Sequence, residues 1–130
     1  MTIERSFLLV KPDGVLGGQV KDAREALVDA GLKIVDQRRI RLTAGQVRRL
    51  YPERASGRFA QENEDYMTAG DVVMISVEGT DAVDRTSEVK GKTYKSGLRK
   101  VFADNFVHNT FHSPDRGEVK REEEVIKNES

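Results

Sequence analysis

Cysteine is missing from these 130 residues, so the chain can form neither a disulfide nor a thiolate metal site. Long hydrophobic runs are missing too. The longest, residues 7–10 and 72–75, fall far short of the ~20 residues that a membrane-spanning helix needs. The opening stretch, Met1 to Arg5, lacks the charged-then-apolar layout of a signal peptide. There is no excess of one charge: Lys plus Arg is 22 and Asp plus Glu is 22. Nothing global therefore draws the chain to nucleic acid or to an acidic membrane. Aromatics are sparse at 6%, which argues against stacking along a nucleic-acid strand. What is present is a hydrophobic share of 37%, enough for one core, under an ionic surface with 34% charged residues, above the usual ~25%. A cytoplasmic protein of one domain, residues 1–130, is expected.

Residues 6–10 read as a short strand, stopped by the turn residues Lys11-Pro12-Asp13-Gly14. Val20, Ala23, Leu27 and Ala30 recur at helical spacing, with Gly31 as a stop. Residues 32–42 read as a second strand. Thr43 can cap a helix carrying Val47, Leu50 and Tyr51, which Pro52 should end. A helix over residues 59–67, closed by Gly70, precedes a third strand over 71–77. Thr80 is read as the cap of a helix that Gly91 ends, and residues 92–100 as a basic loop. Residues 106–111 read as a last strand, with Ser113 capping a final helix that Pro114 opens. This order predicts βαββαβ, a ferredoxin-like α/β (α+β) fold: a four-stranded antiparallel sheet with helices packed on one face. Such a fold hosts many functions and settles no chemistry.

Three local patterns carry chemistry. Lys11-Pro12-Asp13-Gly14-Val15 ends the first strand. Tyr51 is followed by Phe59 eight residues on. Asn109-Thr110-Phe111-His112 precedes Ser113-Pro114-Asp115. A lysine on a strand end is a point charge suited to phosphate. An exposed aromatic offers any base a stacking face. A neutral imidazole is a nitrogen nucleophile near pH 7. Taken singly, each has a plainer reading: a surface lysine in a turn, a core phenylalanine, a structural histidine.

In this order and at these separations the motifs resemble the nucleoside diphosphate kinase family. Tyr66-Met67, Gly70 before Val72-Val73, Glu78-Gly79, Thr93, and Arg99 followed by Phe102 add to the likeness, which runs from about Arg5 into the last helix. The resemblance implies transfer of the γ-phosphate of an NTP to an NDP by a ping-pong route through phosphohistidine at His112. It places Lys11, Thr93 and Arg99 on the phosphates, Phe59 under the base and Asn109 on the sugar hydroxyl. Tyr51 would stand close to the histidine. His108, the other histidine, does not match. Mg²⁺ would ride on the nucleotide phosphates with no protein ligand. A homo-oligomer is implied; neither a membrane nor a nucleic-acid partner is expected.

The imidazole's second nitrogen must be held, and the family uses a glutamate of the last helix. Glu122, Glu123 and Glu124 compete. With Val119 and Ile126 marking the buried face, Glu123 points inward, Glu122 nearly as well, and Glu124 away. The resemblance selects Glu123, although three adjacent glutamates also suit a solvated face.

The chain departs from the family at several positions. Ser87 replaces a phosphate-binding arginine, and Arg85, on the wrong side of its helix, is a poor substitute; Lys92 is nearer. Ser113-Pro114 replaces Gly-Ser, Gly17 and Gly18 follow the first motif, and the stretch from Thr93 to Arg99 is short. Two alternatives stay open: a nucleotide-binding module with little or no catalysis, and a nucleic-acid-binding ferredoxin-like protein using the 90–100 loop with Arg38, Arg39 and Arg41.

Overall fold

The computed structural model describes residues 3–54, 56–91, 98 and 110–128. Strand β1 covers Ile3–Val10 and runs straight into α1, Pro12–Leu16. The Lys11-Pro12-Asp13-Gly14 segment, predicted as a turn, is the start of a helix. Proline at its first position costs nothing there, because that N–H has no intrahelical partner. Helix α2, Val20–Asp29, ends at Gly31, whose φ of +86° only glycine adopts without strain. Strand β2, Lys33–Ile40, leads into α3, Ala44–Leu50. Thr43 and Gln46 form a reciprocal capping box there. A 3₁₀ turn, Pro52–Arg54, precedes α4, Ala60–Thr68; β3 is Val72–Thr80 and α5 is Ala82–Lys90. Thr80 is the last residue of β3 and does not cap α5; Asp81, at φ +54°, turns the chain into it.

Among the described residues the last strand, β4, is Phe111–His112, and the last helix, α6, is Val119–Lys127. Residues 106–109 of the predicted 106–111 strand lie outside the described residues, as does the predicted basic loop apart from Leu98, while Thr110 stands as a bend just before β4. Ser113 and Pro114 do not open the final helix. The chain turns at Gly117 (φ +86°), and α6 starts at Val119 behind Glu118.

The described strands lie in the order β2-β3-β1-β4 with every neighbouring pair antiparallel, which is the ferredoxin-like arrangement. Helices cover both faces of the sheet, not one. Phe7 and Leu9 of β1 and Val72 and Met74 of β3 pack with α3, α4 and α6. Leu8 and Val10 with Val73, Ile75 and Val77 pack with α2 and α5. Side chains alternate between faces along a strand, so a strand covered on both sides must be apolar at every position. The unbroken runs at residues 7–10 and 72–75 meet that demand. Each large side chain so buried contributes about 1.5–3 kcal/mol. The two central strands are thereby fixed, and the ends of β1 and β4 are held firmly side by side.

Candidate active site

Leu9 of β1 stands opposite His112 of β4, and Val10 opposite Phe111. Phe111 is buried in the cluster under α2 and α5. Alternation then turns His112 to the other face, where its ring lies 6.2 Å from that of Phe7 and meets Tyr51 edge-on at 4.9 Å. Tyr51 is the residue on which α3 ends. Lys11 follows β1 directly and is fully buried. Its ammonium lies 5.3 Å from the centre of the Tyr51 ring and 5.5 Å from that of Tyr66. A desolvated ammonium is costly, and the two π faces offset part of that cost. Tyr51 thus touches both the lysine and the histidine, the cation and the nitrogen base that a phosphate group would meet together.

The carboxylate against the His112 ring belongs to Glu122, not to Glu123: Oε1 of Glu122 lies 2.5 Å from Nε2 of His112. The reason is helical phase. Val125 and Ile126 both pack into the core beneath α6. At about 100° per residue, Glu122 falls between these two directions and Glu123 about 60° outside them. Glu123 is half-buried, and its Oε1 meets no hydrogen-bonding group among the described residues. Both members of the His112–Glu122 pair are shielded, with side chains 11% and 6% exposed. Burial pushes Glu122 up to about 7; the Arg121 guanidinium, 3.6 Å from Oε2, opposes this, Glu118 and Asp115 add to it, and Lys90 opposes it.

Gln46 fixes the height of α6. Its side-chain amide donates to the carbonyls of Val125 (3.0 Å), Ile126 (3.2 Å) and Asn128 (3.0 Å), while its Oε1 accepts from the Thr43 N–H. Helix-end carbonyls with no partner inside their own helix are satisfied this way, and Glu122 is carried to the ring.

The family model described as nucleoside diphosphate kinase matches residues 4–127. The chain belongs to the nucleoside diphosphate kinase family. It is 36% identical over 123 residues to a nucleoside diphosphate kinase of Methylobacterium radiotolerans, covering 91% of this chain and 88% of that one. A relative of the same description from Hyphomonas neptunium is 33% identical over an equal span. Among solved structures, the Halobacterium salinarum nucleoside diphosphate kinase in complex with CDP superposes with a TM-score of 0.88 at 26% identity, over 98% of this chain and 90% of that one. The Aquifex aeolicus nucleoside diphosphate kinase gives 0.85 at 26% identity, over 98% and 96%. As a nucleoside diphosphate kinase, the chain is a phosphotransferase acting on nucleotides.

Of the residues predicted for this kinase's site, Lys11, Tyr51 and His112 come together. Phe59 stands at the start of α4, half-buried and in neither core cluster, with the Arg58 guanidinium 5.2 Å from its ring centre. Thr93, Arg99 and Asn109 lie outside the described residues, as do Lys92 and His108. Ser87 is half-buried on α5. Arg85 reaches back to the Ala30 carbonyl at 3.2 Å, toward α2, so it does not replace an arginine at position 87. In the arginine cluster of the nucleic-acid alternative, Arg38 pairs with Asp36 and Arg39 with Asp71, which cancels much of its charge. Sequence reasoning missed the parts played by Gln46, Asp13, Tyr66 and Thr110. For Gln46 the Thr43-x-x-Gln46 spacing was a signal of the cap; nothing local announced its reach to α6.

Proposed function

We propose that His112 takes the γ-phosphoryl group of a nucleoside triphosphate and then passes it to a nucleoside diphosphate. The observation that carries this reading is Glu122 against Nε2. A carboxylate accepts, so the ring proton sits on Nε2 and the lone pair on Nδ1. Attack by Nδ1 forms an N–P bond as the bond from the γ-phosphorus to its bridging oxygen breaks, and the diphosphate leaves with that electron pair. A second nucleoside diphosphate reverses the step. Glu122 orients the ring and stabilises the positive charge that grows on it. Lys11 balances charge on the phosphoryl oxygens, and Tyr51 packs the ring against the transferred group.

Phe59 stacks under the base, which leaves base identity open. On the same reading Thr93 and Arg99 contact the phosphates and Asn109 the sugar. The CDP bound to the Halobacterium relative supports a nucleoside diphosphate as one substrate. Mg²⁺ suits this site as part of the substrate. Among the described residues no three His, Asp or Glu side chains gather to ligate it. The Asp13 carboxylate is already shared by Tyr66 and Thr110, and the lysine seeks phosphate oxygens. Carried on the polyphosphate, the ion would neutralise charge there. The same reading makes the chain one catalytic domain of a cytoplasmic homo-oligomer. In its support, β2 is an edge of the described sheet and Val35 is exposed on it, an arrangement that invites cover.

Incubation with γ-labelled ATP and Mg²⁺ tests the reading. Wild type should acquire label that survives alkali and is lost in acid, and His112→Ala should acquire none. Label retained by that variant, or absent from wild type at saturating ATP, would refute phosphohistidine at this position.

A further inference from the structure

Thr110 enters β4 two residues ahead of His112 with φ of +68°. For a β-branched residue that conformation is strained, and such strain persists only where neighbours over-determine it. Here they do. Thr110 is 1% exposed. Its N–H donates to the Tyr66 hydroxyl at 2.9 Å, and its carbonyl accepts from the Lys11 N–H at 2.7 Å. Its own hydroxyl donates to Asp13 Oδ2 at 2.9 Å, while the Tyr66 hydroxyl donates to Asp13 Oδ1 at 2.6 Å. A Cβ added at Gly14 would stand 2.8 Å from the Thr110 methyl, so the backbone of α1 closes the remaining side.

We propose that Asp13 and Tyr66 hold Thr110 left-handed in order to aim the His112 ring, making Thr110 a positioning residue for phosphoryl transfer. This rests on the reading of His112 as nucleophile. The direction of every bond in the cluster is set: Thr110 N–H to the Tyr66 oxygen, Tyr66 O–H to Asp13, Thr110 O–H to Asp13. Burial, with Asp13 adding to it, holds the Tyr66 hydroxyl far above the usual tyrosine range, so it keeps its proton and the direction cannot invert. The need for such a device follows from β4. Of the described strands, β4 lies at the end of the sheet and pairs with Leu9 and Val10 of β1, and strand pairing sets which face a side chain takes, not the angle of its ring. The cluster adds α1 and α4 as supports. It also ties that angle to Lys11, whose backbone shares the Thr110 carbonyl, so the nucleophile and the phosphate cation are placed by one residue.

Thr110→Val keeps the shape and removes the hydroxyl; Thr110→Ser keeps the hydroxyl; Tyr66→Phe removes one oxygen. Each is compared with wild type by the single-turnover rate of labelling from γ-labelled ATP, by ADP affinity and by thermal transition. Thr110→Val and Tyr66→Phe should label roughly 10- to 100-fold more slowly, the cost of a misplaced reacting group. Their ADP affinity should stay within about two-fold, and Thr110→Ser should recover most of the rate. Wild-type labelling rates in both Thr110→Val and Tyr66→Phe would overturn the proposal and leave His112 as nucleophile untouched. So would rate and ADP affinity falling together in both. A wild type that takes no label would remove the nucleophile itself, and this proposal with it.

Discussion

As the proposed nucleophile His112 needs an acceptor on Nε2, and the carboxylate against that nitrogen is one that burial holds back from ionising. Glu122 moves from an ordinary 4.5 to about 7 in the folded protein. Between those values the folded chain holds a proton that the unfolded chain has released. The stability this proton confers is complete below about 4.5 and is lost as pH rises through about 7. Glu122→Gln should therefore raise the unfolding free energy at pH 8.5, on the order of 2 kcal/mol, with no gain at pH 4. Labelling of His112 should slow in the same variant by roughly 10- to 100-fold at pH 8, the usual cost of losing an orienting partner. That gap should narrow below pH 6, where wild-type Glu122 is itself neutral. Urea titrations and labelling rates across pH check both halves. A variant less stable than wild type at pH 8.5 would contradict the first, and a normal rate the second. Glu123 shows why this residue was hard to read. From Val119 and Ile126 alone, Glu122 and Glu123 lie equally far, about 50°, from the axis of the buried face. Only Val125, half-buried in the core, breaks the tie. Lys11 and His112 sit in contiguous motifs, whereas Asp13 finds Tyr66 across 53 positions and Thr110 across 97. No periodicity spans that distance.

Elements with their own local signals were legible. Thr43 and Gln46 announce α3, and Gly31 and Gly91 end α2 and α5, each at positive φ. Elements whose ends depend on tertiary contacts were not. Thr80 has the chemistry of a cap but is held in β3 by pairing with Ile3, and α6 waits for the turn at Gly117. The apolar runs in β1 and β3 marked both as strands, yet only their lack of alternation says that both faces are covered. Gln46 is where one element controls another. Gln46→Leu should keep α3 hydrophobic while removing half of the Thr43 box and the donor to the Val125, Ile126 and Asn128 carbonyls at the end of α6. A lost cap together with unsatisfied carbonyls predicts about 2–3 kcal/mol of destabilisation. Labelling of His112 should also slow, since α6 carries Glu122. A change in unfolding free energy under about 0.5 kcal/mol would mean that α6 is held in place by its apolar face alone.

At the scale of the whole molecule, the strand order does the assembling. With β1 central, the lysine at its end and the histidine on its neighbour are adjacent although 101 positions separate them, and α3, α4 and α6 all lie over that same face. In the proposed binding mode a nucleotide spans the ends of β1 and β4 and the start of α4, which come together only in the folded chain. Mg-ADP should therefore stabilise the entire chain. At a free concentration of 100 times its dissociation constant the gain is about 2.7 kcal/mol, which for a chain of this length raises the midpoint by roughly 10 °C. His112→Ala should keep nearly all of that shift while losing phosphate exchange, because the proposed mechanism uses the ring for attack and little for holding the diphosphate. Lys11→Ala should lose most of it, because the proposed mode sets this buried cation against the phosphates. Differential scanning fluorimetry of the three proteins with and without Mg-ADP separates binding from chemistry. A shift abolished by His112→Ala yet unchanged by Lys11→Ala would reverse the parts given to these two residues and move the phosphates to the other side of Tyr51.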